Sequence, residues 1–165
     1  MNLYLVRHGI AEEAAASGRD ADRQLTREGR EKMRRVAEGL KALGLRFDLI
    51  LTSPYPRATE TAEIVAAALG GAETRVLPEL AAGADISSLL AALRPYRQVD
   101  ELALVGHQPD LGLLGSQVMT GAPSLCPLVL KKGSVACFEI PTPRGSLRGE
   151  LGWLLTPKQL RALAG

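Results

Sequence analysis

Leu3-Tyr4-Leu5-Val6-Arg7-His8-Gly9 opens the chain with four apolar residues that run directly into a cation, an imidazole and a glycine. A short apolar run of strand-forming residues reads as a strand covered on both faces. In an open α/β sheet, ligands collect beyond the carboxyl ends of the strands, so Arg7 and His8 are expected at the rim of such a crevice. Gly9 lets the backbone turn closely past a ligand. The pair suits an anion. Arginine presents a fixed fork of donors, and a histidine largely neutral near pH 7 offers a nucleophile.

Further along, Glu101-Leu102-Ala103-Leu104-Val105-Gly106 repeats the arrangement, and His107, the second of only two histidines, follows directly. Between them, residues 47–52 read as a strand ending at Ser53-Pro54, and Arg57 falls on the opening turn of a helix over residues 56–69. Thr26 is the expected cap of an earlier helix, in which Met33, Val36, Ala37, Leu40 and Leu43 recur at helical spacing up to Gly44. Residues 10–22 have no clean period and read as a loop. Residues 74–77 suggest a short strand, and residues 86–93 and 109–120 suggest helices. After Pro127 the texture turns to strands at 128–130, 135–140 and 149–155. A last helix over 157–163 has Thr156 as its cap and proline at its first position. The alternation of strand and helix predicts a three-layer α/β/α sandwich with a mostly parallel central sheet, and leaves open whether the final strands join it.

The chain has 165 residues, 46% of them apolar and 23% charged, which reads as one domain spanning 1–165, long enough to bury a proper core. A net charge of +2 is too small to argue for nucleic acid or an anionic membrane surface, so any cationic site must be local. No run approaches the ~20 apolar residues that span a bilayer. The N-terminus lacks the pattern of a secretory signal. Cys126 and Cys137 form no CxxC pair, and reduced thiols in a cytoplasmic protein are expected.

If the three strands that end in polar residues are neighbours, Arg7, His8, Ser53, Arg57 and His107 converge on one crevice. Two arginines and two imidazoles around one point repel one another unless an anion sits among them. A phosphoryl group fits, and the helix starting at Pro56 is placed to aim backbone N–H groups at it. His8 would then attack phosphorus in line and form a phosphohistidine intermediate. Arg7, Arg57 and a protonated His107 would neutralise the equatorial oxygens before water releases phosphate. No P-loop or aspartate-rich pattern is present to hold magnesium, so no metal and no cofactor are expected. Glu79, in Leu77-Pro78-Glu79, is the candidate general acid, a role that requires a raised pKa. Plainer readings stand beside these. Ser53 also reads as a helix cap, Thr59, Glu60 and Thr61 as helix-start residues, and Glu79 as a solvated carboxylate. Asp20, Asp22 and the charged run 27–35 read as loop and exposed helix.

Taken together, several motifs resemble the signature set of the histidine phosphatase superfamily, the phosphoglycerate-mutase-like group. They are Leu5-Val6-Arg7-His8-Gly9, Leu25-Thr26 with Gly29, Ser53-Pro54 with Arg57 and Thr61-Ala62, and Val105-Gly106-His107. The resemblance implies that fold, a single histidine-phosphatase catalytic domain, His8 as nucleophile beside Arg7, and Arg57 and His107 as further members of a phosphate pocket. The Arg-His-Gly-Ile-Ala-Glu opening, the short chain and Val76-Leu77-Pro78-Glu79-Leu80 are most similar to SixA-type phosphohistidine phosphatases. Those imply a phosphohistidine-bearing partner protein, such as a phosphotransfer domain in bacterial signalling. Glu79 falls where mutases of the group place their acid, in a Leu-x-Glu-x-x-x-Gly pattern completed by Gly83. The chain leaves little room for the inserted segments that wall in small substrates in longer members, which favours an open site and a phosphoprotein. Two alternatives remain: a phosphatase of small phosphomonoesters on the same scaffold, and a non-catalytic phosphoprotein-binding module.

Overall fold

The structure is a computed structural model and describes residues 1–141 and 145–165. Its strands are β1 (Asn2–Arg7), β2 (Leu49–Thr52), β3 (Glu73–Val76), β4 (Glu101–Gly106), β5 (Val135–Glu139) and β6 (Glu150–Leu155). They form one sheet in the order β3-β2-β4-β1-β5-β6. The first four run parallel, while β5 lies antiparallel to β1 and β6 antiparallel to β5. The final strands therefore do extend the main sheet. The helices are α1 (Arg27–Ala42), α2 (Pro56–Ala68), α3 (Ile86–Ala92), α4 (Asp110–Thr120) and α5 (Pro157–Leu163). No helix among the described residues is long and apolar enough to cross a membrane.

The apolar runs that announce the strands are read by the sheet two residues at a time, because successive side chains leave on opposite faces. Leu3, Leu5, Leu49, Leu51, Leu102 and Leu104 point to one side, where Leu89 and Leu93 from the α3 region and Leu111, Leu114 and Val118 of α4 cover them. Tyr4, Val6, Ile50, Ala103 and Val105 point to the other, against Met33, Val36, Ala37 and Leu40 of α1, Ala58, Ala62 and Val65 of α2, and Leu160 of α5. Two cores on two sheet faces make the three layers. Burial of this kind is worth roughly 1.5–3 kcal/mol for each large aliphatic side chain.

Helix starts follow local chemistry. Thr26 accepts from the Gly29 N–H at 2.9 Å, and Thr156 and Gln159 form a reciprocal capping box ahead of α5. Leu43, expected on the buried stripe of α1, lies just past the helix end and is 42% exposed. The strand at residues 73–76 sits at the sheet edge with all four residues exposed, which explains its weak apolar signature. The strand expected at residues 128–130 does not form. The Leu128 carbonyl accepts from Gln108 Nε2 and the Leu130 carbonyl from Arg7 Nη1, each at 2.6 Å. These carbonyls bind side chains beside the sheet and join no ladder. Leu130 is apolar because it is buried in the core.

Two glycines decide how closely α1 approaches the segment after β1. A Cβ on Gly29 would lie 2.0 Å from the Ile10 carbonyl oxygen, which itself accepts from the Thr26 N–H. A Cβ on Gly9 would lie 2.5 Å from Met33 Cγ, and Gly9 does not adopt a positive φ. Space, not a left-handed turn, is what requires glycine there. Gly29→Ala should accordingly destabilise the fold by roughly 1–3 kcal/mol, because the clash is with backbone that cannot rotate away. Urea unfolding measures this, and a change under about 0.5 kcal/mol would show that α1 can move off at no cost.

Candidate active site

Register brings the polar residues together. Arg7 pairs with Gly106 and Thr52 with Val105, so β1, β4 and β2 end at one level. The residues that follow, His8, His107 and Ser53, emerge side by side at the carboxyl edge of the sheet. Backbone bonds continue the ladder one step further, from His8 N to Gly106 O at 3.1 Å and from Ser53 N to Val105 O at 2.9 Å. The His8 and His107 rings lie with centroids 5.1 Å apart. Arg57 arrives on the first turn of α2. Arg7, His8, Ser53, Arg57 and His107 are thus gathered as their spacing predicts.

Their burial is deep: His8 is 6% exposed, His107 2%, Arg57 3% and Ser53 0%, while Arg7 is half-buried. His8 Nδ1 lies 2.7 Å from the Gly9 carbonyl oxygen. A carbonyl only accepts, so Nδ1 carries the proton and the neutral ring keeps its lone pair on Nε2. Burial, reinforced by the positive surroundings of His107, Arg57 and Arg7, pushes the His8 pKa down to about 3 against the upward pull of the Gly9 bond. His107 Nε2 lies 2.7 Å from Ser53 Oγ, which also accepts from the Tyr55 N–H at 3.3 Å. The hydroxyl can donate to Nε2 or accept from it; when it donates, the His107 ring proton sits on Nδ1. Burial, then Arg57, lowers the His107 pKa to about 4, with Asp20 acting in the opposite sense. Both rings are neutral at pH 7 in the free protein. The protonated His107 invoked from sequence belongs to the phosphoryl-bound site, a different state from this anion-free one, in which burial and Arg57 hold the ring's pKa down.

Arg7 Nε, Arg57 Nε and His107 Nδ1 are buried with no hydrogen-bond partner among the described residues. An unpaired buried polar group costs about 1–3 kcal/mol, so three in one place mark a site shaped for an acceptor with several oxygens. The N-terminus of α2 adds less than expected. Pro56 has no N–H, and the N–H groups of Ala58 and Thr59 both bond the Tyr55 carbonyl.

Thr61 and Asp20, read as bystanders in the sequence, and Tyr55, which drew no reading, belong to the site's frame. Thr61 Oγ accepts from the Gly9 N–H at 3.1 Å and donates to the Arg57 carbonyl at 2.7 Å, tying α2 to the turn after His8. Its i+4 spacing from Arg57 put the two on one helix face, which was the available signal. Tyr55 packs its ring against His107, centroids 5.1 Å apart, and under the Arg57 guanidinium carbon at 5.0 Å. Asp20 binds Arg57 through its carbonyl at 2.6 Å and its carboxylate at 2.8 Å, a pairing across the loop with no local signature. Glu79 is half-buried in the 3-10 turn Pro78–Leu80, and no hydrogen bond among the described residues joins it to the site.

The family model of the histidine phosphatase superfamily (branch 1) matches residues 3–82. An uncharacterized protein of Picosynechococcus sp. is 46% identical over 114 residues, which is 68% of this chain and 69% of that protein. The phosphohistidine phosphatase SixA of Escherichia coli K12 is 29% identical over 164 residues, 98% of this chain and 97% of that one. A solved structure of the protein histidine phosphatase SixA complexed with tungstate aligns with a TM-score of 0.85 at 28% identity, covering 97% of this chain and 99% of its own.

The buried, neutral imidazoles set a pH signature. An unfolded histidine protonates near pH 6.5, whereas these stay neutral until about pH 4 and about pH 3. Over that window the unfolded chain binds more protons than the folded one, so stability falls as pH drops below about 6.5. NMR titration of the two rings should show neither changing protonation state above pH 5. A ring titrating at 6–7 would overturn the burial argument.

Proposed function

The chain belongs to the histidine phosphatase superfamily, and from that premise we propose that it is a phosphohistidine phosphatase. It would remove the phosphoryl group from a histidine-phosphorylated protein through a covalent intermediate on His8, with residues 1–165 acting as one catalytic domain. The observation that carries the reading is the bond from His8 Nδ1–H to the Gly9 carbonyl, which leaves a neutral Nε2 lone pair beside two guanidinium groups. The relative named phosphohistidine phosphatase SixA and the tungstate complex of a protein histidine phosphatase point the same way.

The steps follow from the donors present. His8 Nε2 attacks phosphorus in line, and the bond from phosphorus to the leaving nitrogen breaks. Arg7 and Arg57 neutralise the equatorial oxygens, and His107 donates from Nδ1 without needing a net charge. When the substrate's phosphohistidine ring has taken a proton from solvent on its other nitrogen, the broken bond's electron pair stays on the nitrogen that held phosphorus and the imidazole departs neutral. Water then attacks the phosphoryl group on His8. The P–N bond breaks, its electrons return to Nε2, one water proton stays on the phosphate and the other passes to solvent.

This chemistry favours phosphohistidine over an alkyl phosphomonoester. An alkoxide leaving group needs a proton from a placed acid, and among the described residues the carboxylate hydrogen-bonded into the site, Asp20, is taken up by Arg57 and Arg23. Glu79 is the residue that the phosphomonoester alternative would call on. A protein partner is further supported by Leu125 and Val129, which are 72% and 79% exposed, on the segment whose carbonyls hold Gln108 and Arg7. Exposed apolar side chains of this size beside a site favour protein contact, and the exposed Lys131 and Lys132 follow them. A cytoplasmic setting completes the reading, in keeping with two unpaired cysteines.

The deciding assay is phosphate release from a histidine-phosphorylated phosphotransfer domain, with chelator present. Wild type should release phosphate and His8→Ala should not, a loss of at least roughly 10³-fold. Equal release by both would remove His8 as nucleophile, and faster turnover of sugar phosphates would transfer the case to phosphomonoesters. Val129→Asp should raise KM for the phosphoprotein several-fold and leave turnover of phosphoramidate unchanged; no change in KM would mean that this segment does not touch the partner.

A further inference from the structure

Arg57 is almost fully buried, and both of its terminal nitrogens are already engaged by one residue. Nη1 donates to the Asp20 carbonyl at 2.6 Å and Nη2 to the Asp20 carboxylate at 2.8 Å. The Tyr55 ring lies 5.0 Å beneath the guanidinium carbon. Edge and face are therefore both fixed, and Nε is the one guanidinium nitrogen without a partner among the described residues. Asp20 is itself held. Arg23 Nη1 donates to its other carboxylate oxygen at 2.6 Å, and Arg23 Nε donates to the Glu12 carbonyl at 2.5 Å. The loop carrying Asp20 is closed by the Ala11–Leu25 bridge and bonded to α1 through the Ile10 carbonyl.

We propose that Asp20 is a positioning residue for phosphoryl transfer, clamping Arg57 so that its Nε–H is presented to the phosphoryl group. The inference rests on the reading of Arg57 as a phosphoryl-binding residue. It differs from an ordinary surface ion pair, whose worth is small because both partners move in solvent. Here one partner is buried and is gripped by a backbone oxygen and a carboxylate together. A group held within tenths of an ångström before the substrate arrives needs no reordering in the transition state. Asp20 is not suited to be the acid. Its hydrogen bonds to Arg23 and Arg57 hold the carboxyl below its ordinary range, so it stays ionised. That charge also opposes an arriving phosphoryl dianion, so holding Arg57 and repelling the ligand act in opposite directions.

Two substitutions separate the two effects. Asp20→Asn keeps a side-chain oxygen for Arg57 Nη2 and loses the charge. Asp20→Ala loses both and keeps only the backbone carbonyl. The side chain is 60% exposed, so both variants should fold, which thermal melting checks. Calorimetric titration with inorganic phosphate should show Asp20→Asn binding as tightly as wild type or tighter, and Asp20→Ala binding roughly tenfold more weakly than Asp20→Asn. Phosphate release from the phosphotransfer domain should follow, with kcat for Asp20→Asn within about threefold of wild type and Asp20→Ala roughly tenfold lower. Rescue by asparagine is the outcome that a charge effect alone cannot give. If Asp20→Ala matches or exceeds Asp20→Asn in both measurements, the clamp is overturned. If wild type binds phosphate but releases none from phosphohistidine, the function assigned above fails while the binding comparison still judges Asp20. No binding of phosphate by wild type would overturn both.

Discussion

The parallel ladder joining β2, β4 and β1 is the constraint on which the rest depends. Because Thr52, Val105 and Val6 share a register level, three apolar strands stop together and their next residues leave the sheet as one group. Ladder hydrogen bonds continue through His8 N and Ser53 N, so even the first residues of the turns are held at backbone precision. A slip of one residue in any of these strands would send its side chains to the wrong face and displace the polar group with it. Leu3, Leu5, Leu102 and Leu104 on one face, and Val6, Ala103 and Val105 on the other, make that slip costly. The same apolar alternation that builds the core thereby positions the chemistry.

A site with two guanidinium groups and two imidazoles must be tolerable before any anion arrives. The structure achieves this by keeping the imidazoles neutral through burial and by placing one carboxylate, Asp20, at the edge of Arg57. Neutrality also serves reactivity, because only an unprotonated ring has a lone pair to give. The Gly9 carbonyl then decides which nitrogen holds it. A backbone atom fixes the tautomer of His8 in the way a carboxylate does for many other histidines, and it does so without adding a negative charge that would repel a phosphoryl dianion.

Much of this was legible before any coordinates. The strand-end placement of Arg7, His8, Ser53, Arg57 and His107, the three layers, and the caps at Thr26 and Thr156 all followed from periodicity and local chemistry. What was not legible depended on partners far apart in the chain. Asp20 looked like loop because nothing near it in sequence names Arg57. Thr61 looked like any helix threonine because its acceptor role is to the N–H of Gly9. Residues 128–130 looked like a strand because burial and β-propensity write the same letters, and only the destination of their carbonyls separates the two. The protonation of the two histidines was not legible, because it turns on how far each ring is desolvated. The depth of burial is a tertiary quantity.

Neutral rings, unpaired buried nitrogens and the lack, among the described residues, of a carboxylate free to act as an acid in the site bear on one another. On the proposed reading, a phosphohistidine ring protonated from solvent on its other nitrogen leaves as neutral imidazole, so the protein's task would reduce to positioning and charge neutralisation. Those are the services that a rigid strand edge supplies: Arg7 tied to the Leu130 carbonyl, Arg57 tied to Asp20, His107 tied to Ser53, and each with a buried nitrogen unpaired among the described residues. An alkyl phosphate would demand a further group, raised in pKa and brought within reach of the leaving oxygen, and Glu79 is not hydrogen-bonded into such a position. On the proposed reading, the economy of the site and the nature of the bond it would break are two statements of the same physical fact.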